Sequence, residues 1–180
     1  DRLAIVNNNG APIGEESTLV LALESYLKYY QDSQKVVTNL STSMAVDVIA
    51  HKYNSTVERS FVGEINVVEK MKETGSAIGG EGNGGVILKE SHLGRDSLVA
   101  SSLVLNNLAQ SNLPLNKLME NIPRFVMIKD KITLQNDVDF DHIKTLFQND
   151  DITFIEGDGL KILWKDKWVH IRKSNTEPII

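Results

Sequence analysis

The sequence predicts a layered αβα domain with a mixed, mainly parallel sheet, followed by a small α+β domain with an antiparallel sheet. Three observations carry this. Helix and strand patterns alternate from residue 15 to residue 110, the order that builds a parallel sheet covered by helices. Beyond Pro123 the texture changes to short strands joined by tight turns at Gly157-Asp158-Gly159 and Lys165-Asp166-Lys167. Between them, residues 112–123 hold Pro114 and Pro123 and read as a linker.

The elements follow in order. Leu3 to Val6 reads as a short strand, closed by the turn residues Asn7-Asn8-Asn9-Gly10. Glu15 and Glu16 put acid at the start of a helix, where the dipole favours it. That helix runs to Tyr29, with Leu19, Leu23, Tyr26, Leu27 and Tyr30 at the spacing of a buried stripe. Gln31 to Gln34 is a polar break. Lys35 to Leu40 is a strand, and Ser41 or Thr42 caps a helix over Ser43 to His51. His51 reads as a surface residue. Ser55 to Val62 is a β-branched strand. Gly63-Glu64 opens a helix with Ile65, Val68 and Met71 on one side, and Gly75 sits just past its end. Asp96 caps a long helix, Ser97 to Gln110, whose leucines predict deep burial on most of its girth. In the second domain, Phe125 to Ile128 and Lys131 to Leu134 read as strands and Asp139 to Phe147 as a helix. Ile152 to Ile155, Leu160 to Trp164 and Trp168 to Arg172 read as three further strands.

Between the third helix and the long one stands Gly79-Gly80-Glu81-Gly82-Asn83-Gly84-Gly85. An apolar frame holds a loop with two polar side chains, Glu81 and Asn83. Glycine permits close approach of backbone to a ligand. Glu81 accepts two hydrogen bonds from a diol, and Asn83 donates and accepts. That chemistry grips neighbouring sugar hydroxyls, with the loop facing solvent when empty. The same residues also describe a plain glycine-rich hairpin with two exposed polar side chains. No Gly-Lys-Ser/Thr follows, so this is not a phosphate P-loop. A strand rather than a helix comes next, which argues against a dinucleotide fingerprint. His92 and Arg95 flank the loop within reach of a ligand, but read as solvated loop residues.

Composition narrows the class. The chain of 180 residues is 41% apolar and 24% charged, with net charge −5 and no cysteine. No basic cluster stands out, so nucleic acid is not an expected partner. The apolar runs are too short to span a bilayer, so no membrane partner is expected. The lack of cysteine fits a reducing compartment, and a cytoplasmic location is expected. Asp1 leads directly into an apolar strand and Ile179-Ile180 ends on another, so the chain reads as a piece of a longer protein.

The last signal is Arg172-Lys173-Ser174-Asn175-Thr176-Glu177-Pro178. A guanidinium, hydroxyls, an amide and a turn suit a phosphate. The same residues also make a surface turn with local side-chain caps.

Taken together, three stretches resemble the α-D-phosphohexomutases. Asp1-Arg2-Leu3-Ala4-Ile5-Val6 resembles the end of their Asp-x-Asp-x-Asp-Arg metal segment. Gly80-Glu81-Gly82-Asn83-Gly84 resembles their sugar-binding loop, and Arg172 to Pro178 their phosphate-binding loop. The connecting phrases Thr38-Asn39-Leu40-Ser41 and Arg59-Ser60-Phe61-Val62-Gly63-Glu64 agree as well.

The resemblance implies the following. Residues 1–13 are the tail of a metal-binding second domain, 14–111 a sugar-binding third domain, and 124–180 a C-terminally truncated, phosphate-binding fourth domain. The parent enzyme interconverts hexose 1-phosphate and 6-phosphate through a bisphosphate, using a phosphoserine and Mg²⁺ held by three aspartates. Asp1 matches the third metal aspartate, and Arg2 the catalytic arginine beside it. Glu81 and Asn83 match the sugar-binding pair, and Arg172, Ser174, Asn175 and Thr176 the phosphate cradle. The partners implied are a hexose phosphate and the remaining domains of the parent chain. Many members have Ser at the place of Asn83, His at that of Gly85, and Pro or Ala at that of Lys173. The phosphoserine segment and two metal aspartates are absent, so this piece is expected to be inactive alone. The loop leaves glucose, mannose and glucosamine phosphates open. A stand-alone sugar-phosphate binding module is the competing reading.

Overall fold

A computed structural model of the chain describes residues 1–30, 35–133, 137–147, 151–173 and 179–180. These fall into two compact units, Asp1–Phe125 and Val126–Ile180. The first carries α1 (Glu15–Tyr29), β1 (Lys35–Asn39), α2 (Ala45–Lys52), β2 (Thr56–Ser60), α3 (Glu64–Thr74), β3 (Ile78–Glu81), β4 (Gly85–Leu88), α4 (Ser97–Ser111) and α5 (Leu115–Glu120). The second carries α6 (Phe140–Thr145), β5 (Thr153–Glu156), β6 (Leu160–Leu163) and β7 (Trp168–Ile171).

The first sheet has strand order β2-β1-β3-β4. β1 pairs in parallel with both β2 and β3, and β4 joins β3 antiparallel, so the sheet is mixed. Alternation along the strands feeds two cores. Val36, Ile78 and Val86 face a large cluster with α1, α2 and α4. Val37 and Ile87 face the other way, onto Val67, Val68 and Met71 of α3. The layered α/β/α arrangement follows directly. Because α2 and α3 lie on opposite faces, the chain switches sides between β1 and β3. That is where open α/β sheets leave a crevice at the carboxyl ends of their strands.

Several boundaries differ from the sequence expectation. Gly79, Gly80 and Glu81 belong to β3, and Gly85 to β4, so the loop proper is only residues 82–84. Leu3 to Val6 is no strand; Val6 makes a single bridge to Pro12. On α4, Ala100, Leu103, Val104 and Asn107 are buried while Leu98 and Leu105 are exposed, so the stripe is narrower than its leucines imply. Ile65 likewise stands out on the solvent side of α3. Residues 112–123 are not a free linker. They form α5, with Leu115, Leu118 and Ile122 in the large cluster, because their apolar spacing gives a short amphipathic turn a core to cover. Phe125 to Ile128 forms no strand; Val126 and Ile128 are exposed and carry no ladder among the described residues. Lys131 to Leu134 yields only the bridge of Thr133 to Ile179, with Leu134 outside the described residues, as are Gln31 to Gln34.

Asp96 caps α4, accepting from the amides of Leu98 at 2.7 Å and Val99 at 3.1 Å. Those two bonds hold its carboxyl below the usual range. Asp139 caps α6 through the amide of His142 at 3.0 Å. In the second unit, β5-β6-β7 is an antiparallel meander. Leu160 and Ile162 are buried at its centre, and the buried Lys161 lays its ammonium 4.4 Å from the Trp168 ring centre.

Close packing at Gly80 gives a sharp test of the β3–β4 hairpin. A Cβ there would lie 2.2 Å from the Gly85 carbonyl oxygen and 2.8 Å from Leu19 Cδ1. Backbone on one side and the first core leucine on the other leave little room to yield. Gly80→Ala is expected to cost about 3 kcal/mol, at the upper end of overpacking penalties. An unmoved urea midpoint for this variant would contradict the packing.

Candidate functional site

The carboxyl ends of the parallel strands bring one polar cluster together. Asn39 ends β1 and Glu81 ends β3. Their side chains meet across the crevice, with Asn39 Nδ2 donating to Glu81 Oε1 at 2.7 Å. The same oxygen accepts from the amide of Gly63 at 3.0 Å, where β2 turns into α3. Glu81 Oε2 accepts from Asn83 Nδ2 at 3.3 Å and from Arg95 Nη1 at 3.3 Å. So Oε1 is held by two short bonds and Oε2 by two long ones. Thr42 Oγ1 accepts from the amide of Gly82 at 3.0 Å and donates to Asn39 Oδ1 at 2.9 Å, tying the loop to the start of α2.

Glu81 is 3% exposed. The solvent-facing carboxylate expected from the glycine frame is therefore corrected. Three of the flanking glycines, Gly79, Gly80 and Gly85, are strand residues, and the sheet carries Glu81 inward with them. Arg95 is corrected too. It is not a solvated loop residue but bridges two carboxylates, Glu64 through Nε at 2.8 Å and Glu81 through Nη1. The Arg95 amide also donates to Glu64 Oε1 at 2.8 Å. That backbone bond, with the guanidinium beside it, holds the Glu64 carboxyl below its usual range. His92 remains exposed, 3.7 Å from Asp96.

Asp1 and Arg2 arrive beside this loop. The Leu3 amide donates to the Gly84 carbonyl at 3.0 Å, so the N-terminal segment runs along the loop's edge. Asp1 Oδ2 accepts from Ser97 Oγ at 2.9 Å and Oδ1 from the Arg2 amide at 2.8 Å. Arg2 is exposed. Among the described residues no three His, Cys, Asp or Glu side chains gather into a possible metal site.

In the second unit, Arg172 follows β7 and its Nε donates to Asp158 Oδ1 at 2.6 Å. Asp158 also accepts at its carbonyl from the ring of His170, 2.7 Å away. Burial pushes the His170 pKa down, against the pull of that bond. Ser174, Asn175 and Thr176 lie outside the described residues.

Sequence reasoning found Glu81 and Asn83 but missed Asn39, Glu64 and Arg95 as members of one network. The signal was present: Asn39 and Glu64 both stand in the connecting phrases. What was missing was the strand order, which alone places the ends of β1 and β3 side by side.

Comparison with known proteins agrees with this architecture. The profile of the phosphoglucomutase/phosphomannomutase alpha/beta/alpha domain III matches residues 14–125. The chain belongs to the phosphoglucomutase/phosphomannomutase family.

A phosphoglucomutase/phosphomannomutase of Thermococcus kodakarensis is 31% identical over 182 residues, covering 100% of this chain and 40% of the relative. A phosphoglucosamine/phosphogalactosamine mutase of Sulfurisphaera tokodaii is 29% identical, covering 100% and 41%. The chain thus spans about two fifths of the length of these relatives. The crystal structure of a phosphoglucomutase/phosphomannomutase family protein from Burkholderia thailandensis superposes with a TM-score of 0.77 at 22% identity, over 99% of this chain and 38% of that one. That likeness concerns the fold. No described helix is long and apolar enough to cross a membrane.

Proposed function

We propose that this chain forms the sugar-binding and phosphate-binding part of a phosphohexomutase, which interconverts hexose 1-phosphate and hexose 6-phosphate through a bisphosphate. The observation that carries the reading is the Glu81–Asn83 pair, 3.3 Å apart at the strand ends of the matched domain. Phosphoryl transfer asks a protein chiefly for positioning and charge neutralisation. In this reading Glu81 and Asn83 hold the sugar hydroxyls, and Arg2, exposed beside the loop, neutralises charge on the reacting phosphate. Arg172, with Ser174, Asn175 and Thr176, holds the phosphate that does not react. The domain limits follow the same proposal: residues 1–13 as the tail of a metal-binding domain, then the sugar-binding and phosphate-binding domains.

The described residues do not by themselves fit Mg²⁺. The ion asks for near-octahedral oxygen ligands, and Asp1 is a single carboxylate whose oxygens already accept from Ser97 and Arg2. We assign Asp1 one place in a Mg²⁺ site completed by other residues of a longer enzyme, together with a phosphoserine donor. Coverage of only two fifths of the relatives supports that assignment, and the absence of cysteine supports a cytoplasmic location.

The test follows ³¹P NMR of glucose, mannose and glucosamine 1-phosphates with the full-length protein and Mg²⁺. Conversion of at least one to its 6-phosphate is expected, with none by the 180-residue chain alone. Binding without conversion by the full-length protein would leave a sugar-phosphate binding module instead. The absence of both binding and conversion would overturn the reading altogether.

A further inference from the structure

We infer that Arg95 is a substrate-binding residue of the sugar site, donating to the hexose hydroxyl adjacent to the one that donates a hydrogen bond to Glu81. This rests on the mutase reading above. Three observations converge on it.

The first is where the side chain lies. A Cβ on Gly85 would meet Arg95 Cδ at 2.3 Å and Cγ at 3.0 Å. The stem of Arg95 therefore occupies the volume that a side chain at position 85 would fill. It lies across the mouth of the loop, against Asn83, whose Oδ1 is 3.1 Å from the same point.

The second is how the head group is held. Glu64 Oε2 takes Nε at 2.8 Å and Glu64 Oε1 takes the Arg95 backbone amide at 2.8 Å. One edge of the guanidinium is thus fixed to the scaffold. The other edge is aimed at Glu81 Oε2, but at 3.3 Å, longer than a good charge-assisted bond of about 2.7–2.9 Å. Nη2 takes no hydrogen bond among the described residues.

The third is access. The Arg95 side chain is 20% exposed and that of Glu81 only 4%. Around Glu81 Oε2 there are then one strong acceptor, one amide from Asn83 and one rigid cationic fork, all with slack contacts. Two adjacent hydroxyls complete this set. One donates to Glu81 Oε2, and its neighbour accepts from the Arg95 fork. An ammonium in place of the guanidinium would keep the charge but could not span Glu64 and a ligand together. The ligand class is a hexose phosphate with vicinal equatorial or axial–equatorial hydroxyls on the ring.

The test uses the full-length enzyme, its preferred hexose 1-phosphate and the 3-deoxy and 4-deoxy analogues of that sugar. Two variants act on Arg95 independently. Arg95→Lys removes the fork, and Gly85→Ala leaves the arginine in place but displaces its stem. Circular dichroism confirms that each is folded, and either suffices if the other is not. A hydrogen bond from a charged group corresponds to about a 10-fold or larger change in kcat/KM. We expect each variant to lose that factor on the natural sugar and less than about 2-fold on one of the two deoxy analogues, because the lost bond is already absent there. Equal losses on the natural sugar and both analogues would show Arg95 to be structural and overturn the inference. Wild-type enzyme that turns over both analogues as well as the natural sugar would instead sink the sugar-site reading itself.

Discussion

Replacing Glu81 by alanine lowers the stability of the first unit by about 3 kcal/mol, the cost of leaving several donors around a buried carboxylate without their acceptor. The carboxylate takes hydrogen bonds from Asn39, Gly63, Asn83 and Arg95. Without it, the buried Asn39 amide, the half-buried Gly63 N–H and one nitrogen of the Arg95 guanidinium lose their acceptor together, at a position only 3% exposed. Glu81→Gln keeps the shape and one acceptor oxygen but presents a donor to groups that are themselves donors. It is expected to cost about 1–3 kcal/mol. Urea unfolding of the 180-residue chain reads both values, and an unchanged slope would show that the denatured state is not the cause. A Glu81→Ala midpoint indistinguishable from wild type would mean that the network does not form.

Arg172→Lys in the full-length enzyme is expected to weaken transition-state binding by about 1–2 kcal/mol, and Arg172→Ala by more. The structure adds a reason. Arg172 already spends Nε on Asp158 at 2.6 Å, which leaves the two terminal nitrogens as a fork for phosphate oxygens. Lysine has one nitrogen for both tasks and must choose between Asp158 and the ligand. The loss should fall mainly on KM, since the proposed phosphate does not react. Steady-state kinetics with unchanged KM for Arg172→Lys would remove Arg172 from the phosphate site. A phosphate titration of the 180-residue chain by NMR gives a second readout at the same place.

How much of this was legible depends on the range of the interaction. Caps act within a few residues, so Asp96 at α4 was readable from the sequence. The alternation of helix and strand likewise announces the layered sheet. Burial is a different matter. Leu98 and Leu105 look like core residues by type, yet the buried face of α4 is made by Ala100, Leu103, Val104 and Asn107, which leaves them outside. Residues 112–123 look like a linker by their prolines, yet the core has room for Leu115 and Leu118. The site shows the same division. Glu81 and Asn83 are two residues apart and stood out together. Asn39, Glu64 and Arg95 are 42, 17 and 14 residues from Glu81, and only strand order and a helix N-terminus bring them to it.

The placement of Glu81 also bears on how variants of this protein would behave in a cell. A carboxylate that ties β1, β3 and the start of α3 together is made when the domain folds, not when substrate arrives. An inherited or laboratory change there would lower the fraction of molecules folded at any moment, and quality control removes such molecules continuously. Its phenotype would then include scarcity of the protein, on top of the sugar contact that each surviving molecule has lost. Specific activity per folded molecule and total protein level would have to be measured separately at this position, whereas a change at the exposed Arg2 should alter the first and spare the second.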